Sequence, residues 1–189
     1  MPRLIAFLRA INVGGHNVTM EKLRKQFEAL GCQEVETFIA SGNVIFTSPS
    51  EKISVLEHRI EGQLHQALGY EVKVFIRTES EVAALARSKP FKESQLKSAA
   101  VLNVAFLSEP ISDEAKKAVM AMRTEIDEFH VHGCEVYWLC QTKQSDSKFS
   151  NTRFEKALNA RATWRNVNTV ARLAAKYPES TRAPRSRLA

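Results

Sequence analysis

The chain has 189 residues, 44% of them hydrophobic and 25% charged, and a formal charge of +6 at neutral pH. This is the make-up of an ordinary globular protein, with apolar material for one compact domain or two small ones. Arg182, Arg185 and Arg187 supply half of the excess charge from the tail, so the body is too mildly basic to mark a nucleic-acid binder.

Cys32, Cys134 and Cys140 include no Cys-x-x-Cys pair, which argues against a disulfide framework and for a reducing compartment. The apolar run near the N-terminus is broken by Arg9 and followed by glycines, unlike a signal peptide, and no other stretch approaches membrane-spanning length. A cytoplasmic protein without a membrane partner is expected.

The run Leu4 to Gly15 organises the rest. Apolar residues on both parities predict a central strand covered on both faces, and Gly14-Gly15 predict a sharp turn into a helix. Asn17 or Thr19 can cap that helix, whose apolar residues Met20, Leu23, Phe27 and Leu30 recur at helical spacing before Gly31. Val35 to Ala40 and Val44 to Thr47 read as a hairpin about Ser41-Gly42-Asn43. Ser50 opens a second amphipathic helix through Ile53, Leu56, Ile60, Leu64 and Leu68, closed by Gly69, and Val72 to Ile76 is the next strand.

Strand, helix, strand, strand, helix, strand is the split βαβ pattern of ferredoxin-like domains. The second half echoes it. After a connecting helix over Thr78 to Ser88 and a loop over Lys92 to Ser98, Leu102 to Leu107 reads as a strand, followed by a helix capped by Ser112. A hairpin about Gly133 and a further helical region come next. The last helix places Trp164, Val167, Val170, Ala174 and Tyr177 on one face, and Arg165, Asn168, Thr169 and Arg172 on the other. The expected architecture is α+β: two packed ferredoxin-like subdomains with antiparallel sheets, over 1–80 and 81–178, and a disordered basic tail over 179–189.

The ferredoxin-like path brings the turn after the first strand beside the hairpin turn, so Arg9, Asn12, Gly14 and Gly15 meet Ser41, Gly42 and Asn43 at one edge. Paired glycines before a helix can present backbone N–H groups to an anion, and Arg9 adds a guanidinium. Turn chemistry alone also explains these glycines and Asn43. Arg165 and Asn166 could reach the same edge, and the polar stripe of the last helix could hold phosphate or RNA backbone as well as being a solvated face. His130-Val131-His132 lacks a third converging ligand because Gly133 turns the chain before Cys134, so no metal is expected. Nor is any other cofactor. Phe7 and Phe46 read as core rather than as an RNA-stacking platform. No catalytic triad or carboxylate pair can be singled out, which leaves the existence of an enzymatic activity open.

Three segments, Leu8-Arg9-Ala10-Ile11-Asn12-Val13-Gly14-Gly15, Ser41-Gly42-Asn43-Val44-Ile45-Phe46 and Thr163-Trp164-Arg165-Asn166-Val167-Asn168-Thr169-Val170, closely resemble the signature segments of the uncharacterised bacterial family catalogued as domain of unknown function 1697. The resemblance extends from about Leu4 to Tyr177. It implies two ferredoxin-like subdomains and brings no activity, substrate or cofactor. At 167 the resemblance leads to an aromatic where this chain has Val167, with Trp164 one expected helix turn earlier. The residues leave three functional classes open: a binding protein for a phosphorylated or anionic small molecule, an enzyme on a small molecule, and a structural or RNA-contacting protein.

Overall fold

The computed structural model describes residues 1, 3–12, 14–49 and 52–179, so Val13, Ser50 and the basic tail from 180 onward lie outside the described residues. The elements are β1 (Arg3–Leu8), α1 (Met20–Ala29), β2 (Gln33–Thr37), β3 (Asn43–Thr47), α2 (Ile53–Leu68), β4 (Val74–Thr78), α3 (Glu79–Arg87), α4 (Glu93–Ser98), β5 (Val101–Phe106), α5 (Asp113–Met120), β6 (Asp127–His132), β7 (Glu135–Cys140), α6 (Asn151–Leu158), β8 (Thr163–Asn166) and α7 (Val167–Lys176). They form two antiparallel four-stranded sheets, ordered β2-β3-β1-β4 and β6-β7-β5-β8. Both are the ferredoxin-like α+β arrangement. Compact units run over Met1–Leu85 together with the chain from Arg172, and over Ala86–Ala171. Among the described residues no helix is long and apolar enough to cross a membrane.

In the first unit, the alternation of a strand sends Leu4, Ala6 and Leu8 of β1 to the helix-covered face, where they meet Val44 and Phe46 of β3 and Val74 and Ile76 of β4. Leu23 and Phe27 of α1 and Leu56, Ile60 and Leu64 of α2 close over them. Phe27 and Phe46 meet edge to face at 5.1 Å. On the opposite face Ile5, Phe7, Ile45, Phe75 and Arg77 are buried too, which explains the unbroken apolar run in β1. In the second unit Ala105, Val136 and Trp138 pack with Val119 and Phe154.

β4 is an edge strand of its sheet, and an edge leaves backbone N–H groups without a ladder partner. Helix α2 covers this edge with carboxylates. Glu57 Oε1 accepts from the N–H of Ile76 at 2.7 Å, and Glu61 Oε1 from that of Val74 at 3.0 Å. The spacing fits because four helical residues rise about 6 Å, close to the roughly 6.6 Å of two strand residues. The second unit repeats the device: Glu155 Oε1 of α6 accepts from the N–H of Ala162, just before β8, at 2.9 Å.

The end of the chain departs from the sequence expectation. Thr163 to Asn166 form an edge strand rather than the start of a helix, pairing with β5 in the register Val104↔Arg165. Asn166 then caps α7, its Oδ1 accepting from the N–H of Asn168 at 2.9 Å. Arg165 and Arg172 therefore do not share a helix face, and the anticipated Arg165–Arg172 stripe does not form. Trp164 and Val167 do not share one either. Trp164 packs 4.9 Å from Phe154 and 5.3 Å from Phe149 and donates to Asn151 Oδ1 at 2.8 Å. Lys92 to Ser98, read as loop, contains α4, and the second helix begins at Ile53 after Lys52, without a side-chain cap.

From Arg172 the chain belongs with the first unit. The Arg172 guanidinium lies 5.3 Å from the centroid of Phe38, and Tyr177 donates its hydroxyl to Glu36 Oε2 at 2.6 Å. Lys176 reaches the same oxygen at 3.2 Å. The Tyr177 hydroxyl, followed by the Lys176 ammonium, holds the Glu36 carboxyl below the ordinary carboxylate value. A carboxyl with a depressed folded pKa stabilises above its unfolded value and loses that contribution as pH falls through the folded one.

Two outcomes follow from these contacts. Glu57→Ala leaves the Ile76 N–H of a sheet edge without its acceptor, and equilibrium urea unfolding should record a loss of about 1.5–3 kcal/mol. Tyr177→Phe should cost about 1 kcal/mol at neutral pH. In melts at a series of pH values its deficit against wild type should shrink once the pH falls below 4.5, the ordinary carboxyl value.

Candidate functional site

The end of the first sheet where β1 terminates gathers three connections, β1–α1, β2–β3 and α2–β4. The β1–α1 loop is fastened to both of the others. On one side the N–H of Leu8 donates to Gly42 O at 2.8 Å, and Asn12 Nδ2 donates to Ala40 O at 3.1 Å. On the other the N–H of Arg9 donates to Lys73 O at 2.9 Å, and the His16 ring stacks on Tyr70 with centroids 3.7 Å apart and planes inclined by 20°. Asn12 also braces its own loop, Oδ1 accepting from the N–H of Val18 at 2.7 Å.

Of the residues anticipated at this edge, Asn12, Ser41, Gly42 and Asn43 take part in the contacts between the two loops of the first unit. Asn43 is fully buried and donates from Nδ2 to Phe38 O at 3.0 Å and to Ser41 Oγ at 2.8 Å. Gly42, at φ 72°, has no room for a side chain: a Cβ there would stand 3.0 Å from Ile11 Cβ and 3.2 Å from Leu8 Cβ. Asn12, Ser41, Gly42 and Asn43 thus lock the two loops together. Gly14 and Gly15 are exposed, with positive φ and open space around each, and Arg9 is half-buried beside them in sequence.

Backbone geometry adds Ala10 and Ile39, which carried no sequence signal. Ala10 (φ 67°), Asn12 (φ 54°), Gly14 (φ 62°), Gly15 (φ 87°), Ile39 (φ 52°) and Gly42 (φ 72°) all occupy the left-handed region. For Ala10, and more so for β-branched Ile39, this conformation costs about 1–2 kcal/mol. Ile39 is also 42% exposed, so burial of its side chain does not account for that cost. Such strain persists where surrounding contacts over-determine it, and it concentrates at functional sites. Along Ala10-Ile11-Asn12 the sign of φ alternates, because Ile11 lies outside the left-handed region. Residues that alternate between right- and left-handed conformations can turn successive N–H groups toward one side. Among the described residues none accepts a hydrogen bond from the backbone N–H of Ala10, Ile11, Asn12, Gly14 or Gly15.

Arg165 and Asn166 stand in the second unit on β8. Arg165 is buried, donates to Thr163 Oγ1 and to Trp164 O, both at 2.8 Å, and burial pushes its guanidinium down to about 10. Asn166 is engaged in capping α7. His130 and His132 are exposed on β6, and partial desolvation of the His130 ring, followed by the nearby charges of His132 and Lys116, lowers its pKa. Among the described residues no group of three or more His, Cys, Asp or Glu side chains is arranged to hold a metal ion.

With this geometry in view, the family assignment is decided by a match over residues 1–137 to the family described as protein of unknown function (DUF1697). The chain belongs to the DUF1697 family. The first two signature segments fall inside that match, and the third lies beyond it. The chain is similar in structure to a conserved bacterial protein, SP0830 from Streptococcus pneumoniae, with a TM-score of 0.75 and 21% sequence identity over 95% of this chain and 99% of the other. That likeness extends the shared fold to the region containing β8 and α7. No curated protein matches the sequence.

Gly42→Ala introduces a Cβ against Ile11 and Leu8 in a left-handed conformation. It should destabilise by about 2–4 kcal/mol, the sum of backbone strain and overpacking. Chemical denaturation midpoints at unchanged m-value would register it.

Proposed function

We propose that this protein binds a phosphorylated or otherwise anionic small molecule at the β1–α1 loop, with Arg9 and the backbone N–H groups of Ala10, Ile11, Asn12, Gly14 and Gly15 as the recognising groups. The observation that carries the reading is the alternating handedness of Ala10, Ile11 and Asn12, with N–H groups that no described residue engages. An anion is the ligand for which such a row of donors is built, and a neighbouring guanidinium strengthens it. Asn12, Ser41, Gly42 and Asn43 act as positioning residues, since their polar atoms or their lack of a side chain fix the two loops. The open space at Gly14 and Gly15 lets a ligand approach the main chain closely.

The second unit supports the same reading by contrast. Its scaffold repeats that of the first, with the N–H of Leu107 donating to Cys134 O at 2.9 Å as Leu8 does to Gly42. Yet among its described residues only Gly133 and Asn159 have positive φ, and Asn159 ends α6. The left-handed loop is an addition to the scaffold, not a requirement of it. The three free thiols at Cys32, Cys134 and Cys140 suit a reducing compartment such as the cytoplasm.

Isothermal titration with inorganic phosphate and sugar phosphates tests the proposal. Wild type should bind at least one of them, and Arg9→Ala should weaken that affinity about 10- to 100-fold, as expected for a charge-assisted hydrogen bond. Retention of full affinity by Arg9→Ala, or absence of binding by wild type, would refute it.

A further inference from the structure

Gly14-Gly15 lead directly into His16, whose exposed imidazole lies flat on Tyr70, 3.7 Å away between centroids. Tyr70 is half-buried and packs against the first hydrophobic core, so one face of the imidazole rests on a fixed support. Tyr70 is its one ring partner among the described residues. An exposed ring held in a fixed plane, with one face covered and the other open, is a platform for stacking a further ring. Two residues of chain, at most about 7 Å when extended, separate Gly14 from His16, the order of distance between a phosphate and the base it carries.

Resting on the anion-binding reading above, we propose that the ligand is a nucleotide, its phosphate at Arg9 and the main chain of Ala10, Ile11, Asn12, Gly14 and Gly15, and its base stacked on the open face of His16. Bare phosphate or a sugar phosphate would use only the first half of this arrangement. A nucleic-acid strand would need successive platforms for successive bases. The sheet aromatics that could offer them, Phe7, Phe46 and Phe75, are all fully buried. The occupant that fits one phosphate-binding turn and one exposed ring is a mononucleotide.

The experiment compares the full chain with its His16→Ala, His16→Phe and Arg9→Ala variants. Titrations use inorganic phosphate, ribose 5-phosphate, the four nucleoside monophosphates and a short RNA. Wild type should bind at least one nucleoside monophosphate about fivefold or more tighter than ribose 5-phosphate, the least that a stacked base contributes. His16→Ala should abolish that preference and leave ribose 5-phosphate affinity unchanged, His16→Phe should retain it, and Arg9→Ala should weaken every phosphate ligand alike. Equal affinity of wild type for ribose 5-phosphate and all four nucleotides would overturn the nucleotide assignment and leave anion binding standing. A preference that survives in His16→Ala would overturn the stacking of the base on His16. Tighter binding of the RNA than of any monophosphate would replace the mononucleotide by a nucleic acid. Absence of binding by all phosphate compounds would overturn both readings. His16→Phe keeps a ring on Tyr70 and should melt with wild type, whereas His16→Ala loses that stacking and should melt slightly lower.

Discussion

A hydrogen bond from the Leu8 N–H to Gly42 O draws two loops so close that residue 42 has no space for a side chain. The arrangement of the candidate site follows from that approach. With Gly42 against Ile11 and Leu8, Asn12 reaches Ala40 O, while Asn43 is sealed below and secures Ser41 and Phe38. Arg9 and His16 tie the other flank to Lys73 and Tyr70. A loop anchored on both sides can keep Ala10 and Ile39 in conformations that L-residues disfavour, because relaxing either would break several contacts at once. Rigidity of this kind orients backbone donors before any ligand arrives and reduces the ordering cost of binding.

The two units answer the same structural problems with the same devices. Each central strand carries a β-branched residue, Ile5 or Val104, paired on one side with Ile45 or Tyr137 and on the other with a buried arginine, Arg77 or Arg165. At β4 and just before β8, the two edge strands, a backbone N–H is satisfied by a helix glutamate, at Val74 and at Ala162. These correspondences are geometric rather than a legible repeat of sequence: Asn43 faces Phe7 where Glu135 faces Phe106. A scaffold used twice with one specialised loop explains why much of the sequence reads as fold, while the candidate chemistry concentrates between Arg9 and His16.

Local signals were most legible where one periodicity prevailed. Thr19 caps α1 as one of two candidates, Leu23 and Phe27 turn inward at helical spacing, and Gly69 ends α2 in the left-handed conformation. The order of elements in the first half sufficed to bring the loop after β1 to the hairpin turn, where Asn12 reaches Ala40 O, since each passage of a ferredoxin-like chain reverses direction. Thr163 to Asn166 misled because Trp164 and Val167 also satisfy a helical spacing. Pairing with β5 made them a strand, and the Asn166 cap placed the true helix start at Val167.

The sequence by itself determined the α+β class, the four-strand plan of the first unit and the turn residues at the end of its sheet, because hydrophobic periodicity and turn chemistry are local properties. Tertiary structure decided what those residues do. It assigned Asn12, Ser41, Gly42 and Asn43 to holding loops and found the left-handed Ala10 and Ile39, which no residue type announces. It also set His16 flat on Tyr70, 54 positions along the chain. Hydrogen bonds and stacking between residues so far apart depend on how the chain returns to one place, and periodicity over a few residues carries no record of that return.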